Sequence, residues 1–459
     1  MKRARPRIDA PRAAAYDVLK AVRVDDAYAN LVLPRVLREA NLSGRDAAFA
    51  TELVSGTLRR QGTYDAILAA CIDRPLAKVE AKVLDALRLG AHQLLAMRVP
   101  AHAAISSTVD LVRARVGHGP AGFTNAVLRK VSGHDHDQWV RRLAPADPVG
   151  LATLAHAHPV WVVEELQAAL AAVGAEAELD ALLAADNAAP KVTLVARPGL
   201  ATTAELRSAG AEPTGQSPHA LVLASGDPGA IDAVAEGRAA VQDEGSQLVT
   251  LALAGAALTG RDEQWLDTCA GPGGKAALLA TLAGQRGAAL LAAERQPHRA
   301  ALVARATRRS GAGLAGVVVA DGTRPAWAPA SFDRVLVDAP CSGLGALRRR
   351  PESRWRRQPG DVAELVPLQR ALLKQALASV RPGGVVAYVT CSPVLAETRG
   401  VVEDVLADHP EAVLVDAEAA LAGVPGVTVA DIAGPLPGTV QLWPHRHGTD
   451  AMFLALLRR

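Results

Sequence analysis

From Ala13 to about Gly133, apolar residues recur three and four positions apart, as at Tyr16, Leu19 and Val22 and again at Val83, Leu87, Leu94 and Leu95. Almost none of the stretch alternates as a half-buried strand would, so the spacing predicts an all-helical segment. Asn41-Leu-Ser-Gly44, Asp73-Arg-Pro75 and Val99-Pro100 punctuate it, each offering a cap or a breaker. The proline-rich break at 144–148 closes this first domain, residues 1–144. Beyond it, His156 to Leu170 reads as a helix and Lys191 to Val195 as a strand, which makes residues 145–237 a small α+β connector. From Ala239 onward the pattern changes to short apolar runs, each followed by a glycine-rich or acidic turn and a helical stretch. Strands are expected over Gln264 to Thr268, Ala288 to Ala293, Leu314 to Ala320, Arg334 to Asp338 and Gly384 to Thr390. Such alternation predicts a doubly wound parallel sheet over residues 238–459, with ligands at the carboxyl ends of its strands.

Composition changes this picture in two places. The 459 residues suit about three domains, and aromatics at 3% mean a core built from Ala, Val and Leu. Four cysteines, at 71, 269, 341 and 391, are too few and too far apart for a disulfide scaffold or a metal clip. They predict a reducing compartment and no structural metal. No apolar run approaches the roughly 18 residues of a membrane span, and the basic start, Met1 to Arg12, lacks the apolar stretch of a secretory leader. A cytoplasmic protein without membrane contact is expected. The net charge of +3 conceals an asymmetry: residues 1–144 carry 23 Lys+Arg against 14 Asp+Glu, or +9, and the remainder −6. Any single arginine there reads as a solvated helix face, yet the sum points to a polyanionic partner.

Candidate chemistry clusters at the predicted strand ends. After the first comes Asp267-Thr-Cys-Ala-Gly-Pro-Gly-Gly-Lys275, where glycines allow a tight turn and the following helix presents free N–H groups. It is not a Walker A loop, since Cys269 stands where a glycine is required and Ala276 where a Ser or Thr would hold magnesium. Nor does it fit GxGxxG, which disfavours a nicotinamide oxidoreductase. Glu294 closes the second strand, where a carboxylate binds ribose hydroxyls; Asp321 closes the third, within reach of an adenine amino group; Asp338 closes the fourth. One acidic residue after a strand is commonly a helix cap. Four in register, with Asp267, outline an adenosine-containing cofactor. Cys341 follows the fourth strand and Cys391 the fifth, which suggests thiol chemistry on one face. Cys71 reads as a buried apolar residue, and Cys269 as a position whose backbone matters rather than its thiol. Arg348-Arg-Arg-Pro-Glu-Ser-Arg-Trp-Arg-Arg357 holds six arginines and a tryptophan, read as phosphate contacts with an aromatic for base stacking.

The loop DTCAGPGGK, the segment LVDAPCSGLG with RRRPESRW, and YVTCS together resemble the RNA cytosine-5 methyltransferases of the Sun/Fmu type, the bacterial RsmB group acting on 16S ribosomal RNA. The likeness covers nearly the whole chain. Residues 13–133 resemble a NusB-like RNA-binding domain, and Val241 to Gln247 resembles the segment leading into the family's catalytic sheet. The resemblance implies a multidomain protein: an all-α NusB-like domain, an α+β connector and a Rossmann-like α/β methyltransferase domain.

It implies S-adenosylmethionine as cofactor, held by Cys269, Ala270, Gly271, Pro272, Gly273, Gly274, Lys275, Glu294, Asp321 and Asp338. It implies RNA, 16S rRNA first, as partner; no DNA is expected, no metal follows from the cysteine spacing, and since nothing in the sequence demands a dimer a monomer is expected. The family's pattern makes Cys391 the nucleophile and gives proton removal or product release to Cys341. DNA cytosine methyltransferases attack from the Pro-Cys cysteine instead, so the residues alone leave that exchange of roles open. Asp338 is implied at the cytosine amino edge, with Lys275 supporting it or lowering a thiol's pKa. Departures stand at Ala276, at Pro393 to Thr398 where a Glu-Glu-Asn run is usual, at Val195-Ala-Arg197, and at His447 to Phe453. They leave open another RNA target such as tRNA. A non-catalytic RNA-binding assembly factor is the alternative that both retained cysteines oppose.

Overall fold

The computed structural model describes residues 9–459, so the basic start Met1 to Ile8 lies outside the described residues. The chain divides into two compact units. One takes the described residues up to Glu164, with Leu183–Ala189 and Leu347–Arg356; the other takes Glu165–Leu182, Pro190–Ala346 and Arg357–Arg459.

The first unit is helical: α1 Ala10–Val24, α2 Ala29–Glu39, α3 Gly44–Arg59, α4 Gln61–Cys71, α5 Ala81–Leu95, α6 Ala101–Arg115, α7 Ala121–Val131, α8 His136–Leu143 and α9 Pro148–His156. Asp9 caps α1 by accepting from the Arg12 N–H at 3.1 Å, and Pro11 sits in the first turn. Asp135 and Gln138 close a reciprocal capping box on α8. Leu53, Leu89 and Leu111 pack with α1 and α2 in one core, and Tyr64, Leu87 and Leu128 centre a second. Gly90 allows that second contact: a Cβ there would lie 2.7 Å from Leu128. The expected helix over His156 to Leu170 is broken. Ala157 turns into the left-handed region at φ 56° before Pro159, whose ring disfavours helical backbone at His158, and the chain becomes helical again at Val160.

The arginine run differs from its sequence reading. None of its six arginines is exposed. Arg354 is fully buried in the helical unit, where its guanidinium donates to Asn187 Oδ1 at 2.8 Å and to the carbonyls of Ala157 and Asp186. Arg356 pairs with Asp26 at 3.0 Å, and Arg350 and Arg356 stack over Tyr28. Trp355 packs on Gly62, where a Cβ would lie 2.3 Å from the indole. For these residues, packing inside the unit replaces the expected phosphate and base contacts.

The second unit holds two sheets. β1 Val192–Ala196, β2 Ala211–Pro213, β3 Ala220–Leu223 and β4 Ala239–Val241 form a small antiparallel sheet in the order β2-β3-β1-β4. The larger sheet comprises β5 Gln264–Asp267, β6 Ala289–Glu294, β7 Leu314–Val319, β8 Phe332–Asp338, β9 Val380–Thr390, β10 Val413–Val415, β11 Val440–Gln441 and β12 Phe453–Arg458. Its order is β10-β12-β9-β8-β5-β6-β7, with β11 paired to β12. β5 to β9 are parallel, and β5 next to β8 is the point where strand order reverses. The sheet is not parallel throughout. β12 lies antiparallel to β9, from Phe453 opposite Thr390 to Arg458 opposite Val385, and its residues Phe453 to Leu457 are all buried. No described helix is long and apolar enough to cross a membrane.

Candidate active site at the strand ends

The turn after β5 is shaped by glycine. Gly273 adopts φ 111°, and a Cβ there would come within 2.7 Å of Ala306, so the chain can enter the helix Gly274–Gln285 only without a side chain. The Gly271 N–H donates to Glu294 Oε2 at 3.1 Å, and a Cβ on Gly271 would fall 2.2 Å from that oxygen. Ala270 N–H bonds the Ala293 carbonyl at 2.9 Å, and Cys269 N–H donates to Asp267 Oδ1 at 3.1 Å. Burial, and then the charge of Asp267, push the Cys269 thiol up, which leaves it an inert thiol on an ordered backbone. Asp321, beyond β7, accepts from the Thr323 N–H and hydroxyl at 2.9 and 2.7 Å.

At the reversal point, Lys275 Nζ donates to Asp338 Oδ2 at 2.9 Å. Burial opposes the ammonium charge, but the Asp338 carboxylate outweighs it and holds Lys275 above its ordinary value. Asp267 is fully buried and its Oδ2 has no hydrogen-bond partner among the described residues. Its carboxyl is pushed up to about 8 by burial and then by Asp338. The unfolded group titrates near 3.8. Across that window the folded state keeps a proton the unfolded chain has lost, so stability falls as pH rises and levels off above it. Asp267→Asn is expected to flatten this slope in urea unfolding between about pH 5 and pH 8. A slope identical to wild type would show that Asp267 ionises normally.

The sulfurs of Cys341 and Cys391 lie 3.4 Å apart. Cys391 directly follows β9 and Cys341 stands three residues beyond β8, its parallel neighbour. The Gly345 N–H donates to the Cys391 carbonyl at 2.9 Å, and a Cβ on Gly345 would collide with that oxygen and with Ala451. The contact with Cys341 brings the Cys391 thiol down against its burial and the Asp338 charge, with Lys275 partly offsetting Asp338. The same contact, reinforced by burial, raises Cys341 well above the usual thiol range. The contact thus favours one thiolate facing one protonated thiol, and either sulfur can be the donor.

Beneath both cysteines is a carboxylate that the sequence reading left aside. Glu397 is fully buried. Its Oε1 accepts from the Ser342 N–H at 2.7 Å and from Gln369 Nε2 at 3.0 Å, and its Oε2 from the hydroxyls of Ser342 and Ser392 at 2.5 and 2.7 Å. Tyr388 donates to its carbonyl at 2.7 Å. Nothing in the spacing marks Glu397, because a carboxylate six positions past a cysteine reads as surface. Its one signal was the departure it shares with Pro393 to Thr398.

Known proteins resemble this chain over most of its length. Residues 9–133 match the NusB family, and residues 256–458 match the family described as 16S rRNA methyltransferase RsmB/F. Ribosomal RNA small subunit methyltransferase B of Pseudomonas syringae pv. tomato is 33% identical over 97% of this chain and 96% of its own length. The chain belongs to the RsmB/F family of 16S rRNA methyltransferases. Within that family setting, a Mycobacterium tuberculosis protein named only as a methyltransferase is 52% identical over 100% of this chain and 98% of its own. The crystal structure of PH0851 covers 99% of the chain and 100% of its own length at a TM-score of 0.79 and 21% identity. NSun6 from Pyrococcus horikoshii covers 64% of the chain and 97% of its own at a TM-score of 0.53 and 17% identity. These two likenesses speak for the fold. Of the RsmB/F candidates read from sequence, Asp267, Lys275, Asp338 and Glu294 converge around the β5 turn, while Asp321 stands beyond the neighbouring edge strand and is partly open to solvent.

Proposed function

We propose that this RsmB/F protein transfers a methyl group from S-adenosylmethionine to carbon 5 of a cytosine in 16S rRNA through a covalent cysteine adduct. The observation that carries the reading is the 3.4 Å contact between the Cys341 and Cys391 sulfurs on neighbouring strand ends. S-adenosylmethionine, when bound, supplies an electrophilic methyl group on a sulfonium. The residues present suit it: the side-chain-free turn at Gly271 lets the backbone approach Glu294 closely, Asp267 leaves a buried carboxyl oxygen unpartnered, and Glu294 and Asp321 offer carboxylates for ribose and adenine.

Carbon 5 of cytosine is too poor a nucleophile to take a methyl group unaided. The Cys391 thiolate adds to carbon 6, and the electron pair of the 5,6 double bond becomes available at carbon 5. Asp338, fixed by Lys275, holds the amino edge and stabilises the ring as it takes up charge. After transfer the carbon 5 proton leaves to a base, the double bond re-forms, and the carbon 6–sulfur bond breaks to return the Cys391 thiolate. Cys341 serves that release. The segment 1–144, with its +9 charge, is assigned the RNA, the connector 145–237 links it to catalysis, and residues 238–459 catalyse.

The test uses unmodified 16S rRNA, the full protein and labelled S-adenosylmethionine, followed by bisulfite sequencing. One cytosine is expected to become labelled and resistant to conversion. Label on another base or atom, or none with either free RNA or a partly assembled subunit, overturns the reading.

A further inference from the structure

We propose that Glu397 is the positioning residue that holds the two cysteine loops in register, one carboxylate bonded to the residue after each thiol. The proposal rests on the reading that Cys341 and Cys391 are the reacting groups. Ser342 follows Cys341 and Ser392 follows Cys391, and both hydroxyls donate to the same oxygen, Glu397 Oε2. The two hydroxyls also lie 3.0 Å from each other. Gln369, on the helix Pro359–Ser379, ties Glu397 Oε1 to the Pro340 carbonyl, so the backbone before Cys341 is fixed as well as the backbone after it.

All four donors on this carboxylate are neutral. A buried carboxylate without a cationic partner costs several kcal/mol of desolvation, and a well-packed apolar side chain serves stability equally well or better. Packing therefore does not account for Glu397. What it does account for is geometry: two loops from different strands are tied to one rigid group, and the two sulfurs beside those ties meet at 3.4 Å. Glu397 touches neither sulfur in the set of bonds described, nor the glycine turn, so its effect on transfer runs through the loops.

Glu397→Ala and Glu397→Gln test this in the full-length protein with 16S rRNA. In the amide variant Oε1 keeps its donors, and the serine hydroxyls can rotate to accept from the new NH₂ group. Glu397→Ala is expected to lower kcat about 100-fold, and Glu397→Gln less than about 10-fold, with KM for RNA and Kd for S-adenosylmethionine nearly unchanged. A second readout does not depend on methylation. Diamide takes two electrons and two protons from neighbouring thiols, forming a disulfide and a hydrazine, and peptide mapping follows closure of the Cys341–Cys391 bond. Closure is expected to be fast in wild type and about 10-fold slower in Glu397→Ala.

If Glu397→Ala closes the disulfide and turns over as wild type does, the proposal is overturned. If it fails to fold, the double variant Ser342→Ala with Ser392→Ala, which removes two of the ties, must reproduce the loss of kcat and the slow closure; normal values in it overturn the proposal equally. Should wild type methylate no cytosine while the closure rates differ as expected, the catalytic reading falls and the positioning of the thiols by Glu397 stands.

Discussion

Cys391→Ala is expected to abolish methyl transfer to RNA, a loss of about four orders of magnitude or more, as when a covalent nucleophile is removed. Without the sulfur no adduct forms at carbon 6, and carbon 5 stays unreactive however well the methyl donor is bound. Cys341→Ala is expected to fail differently. Its nucleophile remains, methyl transfer proceeds, and release stalls, so a covalent protein–RNA species accumulates on denaturing gels while multiple turnover stops. The electrostatics favour this assignment over its exchange. The contact with Cys341 brings Cys391 down against burial and the Asp338 charge, with Lys275 assisting, whereas the same contact and burial raise Cys341. A thiolate is the better nucleophile, and a protonated thiol beside it can donate to the Cys391 sulfur as the carbon 6–sulfur bond breaks, while the carbon 5 proton leaves to a separate base. Single-turnover transfer of labelled methyl groups and gel detection of the adduct check both halves. If Cys391→Ala traps the adduct and Cys341→Ala forms none, the two cysteines have the opposite roles. If Cys391→Ala transfers methyl groups normally, the covalent route is wrong.

Much of the site was legible because its signals are local. A glycine turn between an apolar strand and a helix, and acidic residues closing successive strands, can be read without knowing what lies across the sheet. Four of the five expected strands lie within a residue or two of β5 to β8, and the fifth, β9, starts earlier than expected, at Val380, running through Pro382, Gly383 and Gly384. What escaped the sequence reading depends on distant partners. Phe453 to Leu457 is apolar on both faces, so it shows neither strand alternation nor helical spacing, and only pairing with β9 reveals it as an interior antiparallel strand. Glu397 looks like an ordinary surface acid until the loops of Ser342 and Ser392 fold over it. Helical periodicity on both sides of Pro159 hid the break at Ala157, because the apolar spacing continues across it. In each case the missing information was a contact far along the chain rather than a weak local preference.

The arginine run carries the largest expected effect on stability, and it separates two physical roles that a charge pattern cannot. Arg354→Ala is expected to destabilise the helical unit by about 3–5 kcal/mol, the cost of removing a buried cation that donates to several acceptors. The guanidinium fork donates to Asn187 Oδ1 at 2.8 Å and to the Ala157, Asp186 and Arg59 carbonyls at 3.2 to 3.4 Å, and the three carbonyls belong to buried residues. Burial lowers the guanidinium to about 10, with the Asp186 charge opposing, which still leaves it protonated at neutral pH. Arg354→Lys should rescue little of the loss, since one ammonium cannot span a planar set of acceptors. Thermal unfolding, together with amide exchange in α3 and α4, measures the effect at its source. A phosphate ligand would behave otherwise: its loss would leave unfolding unchanged, weaken RNA binding, and reduce the salt dependence of that binding by about one unit of slope. That second outcome would return Arg354 to the nucleic acid. The first would mean that a stretch rich in positive charge serves to anchor ten residues inside the helical unit, and that the +9 of residues 1–144 must account for RNA binding without it.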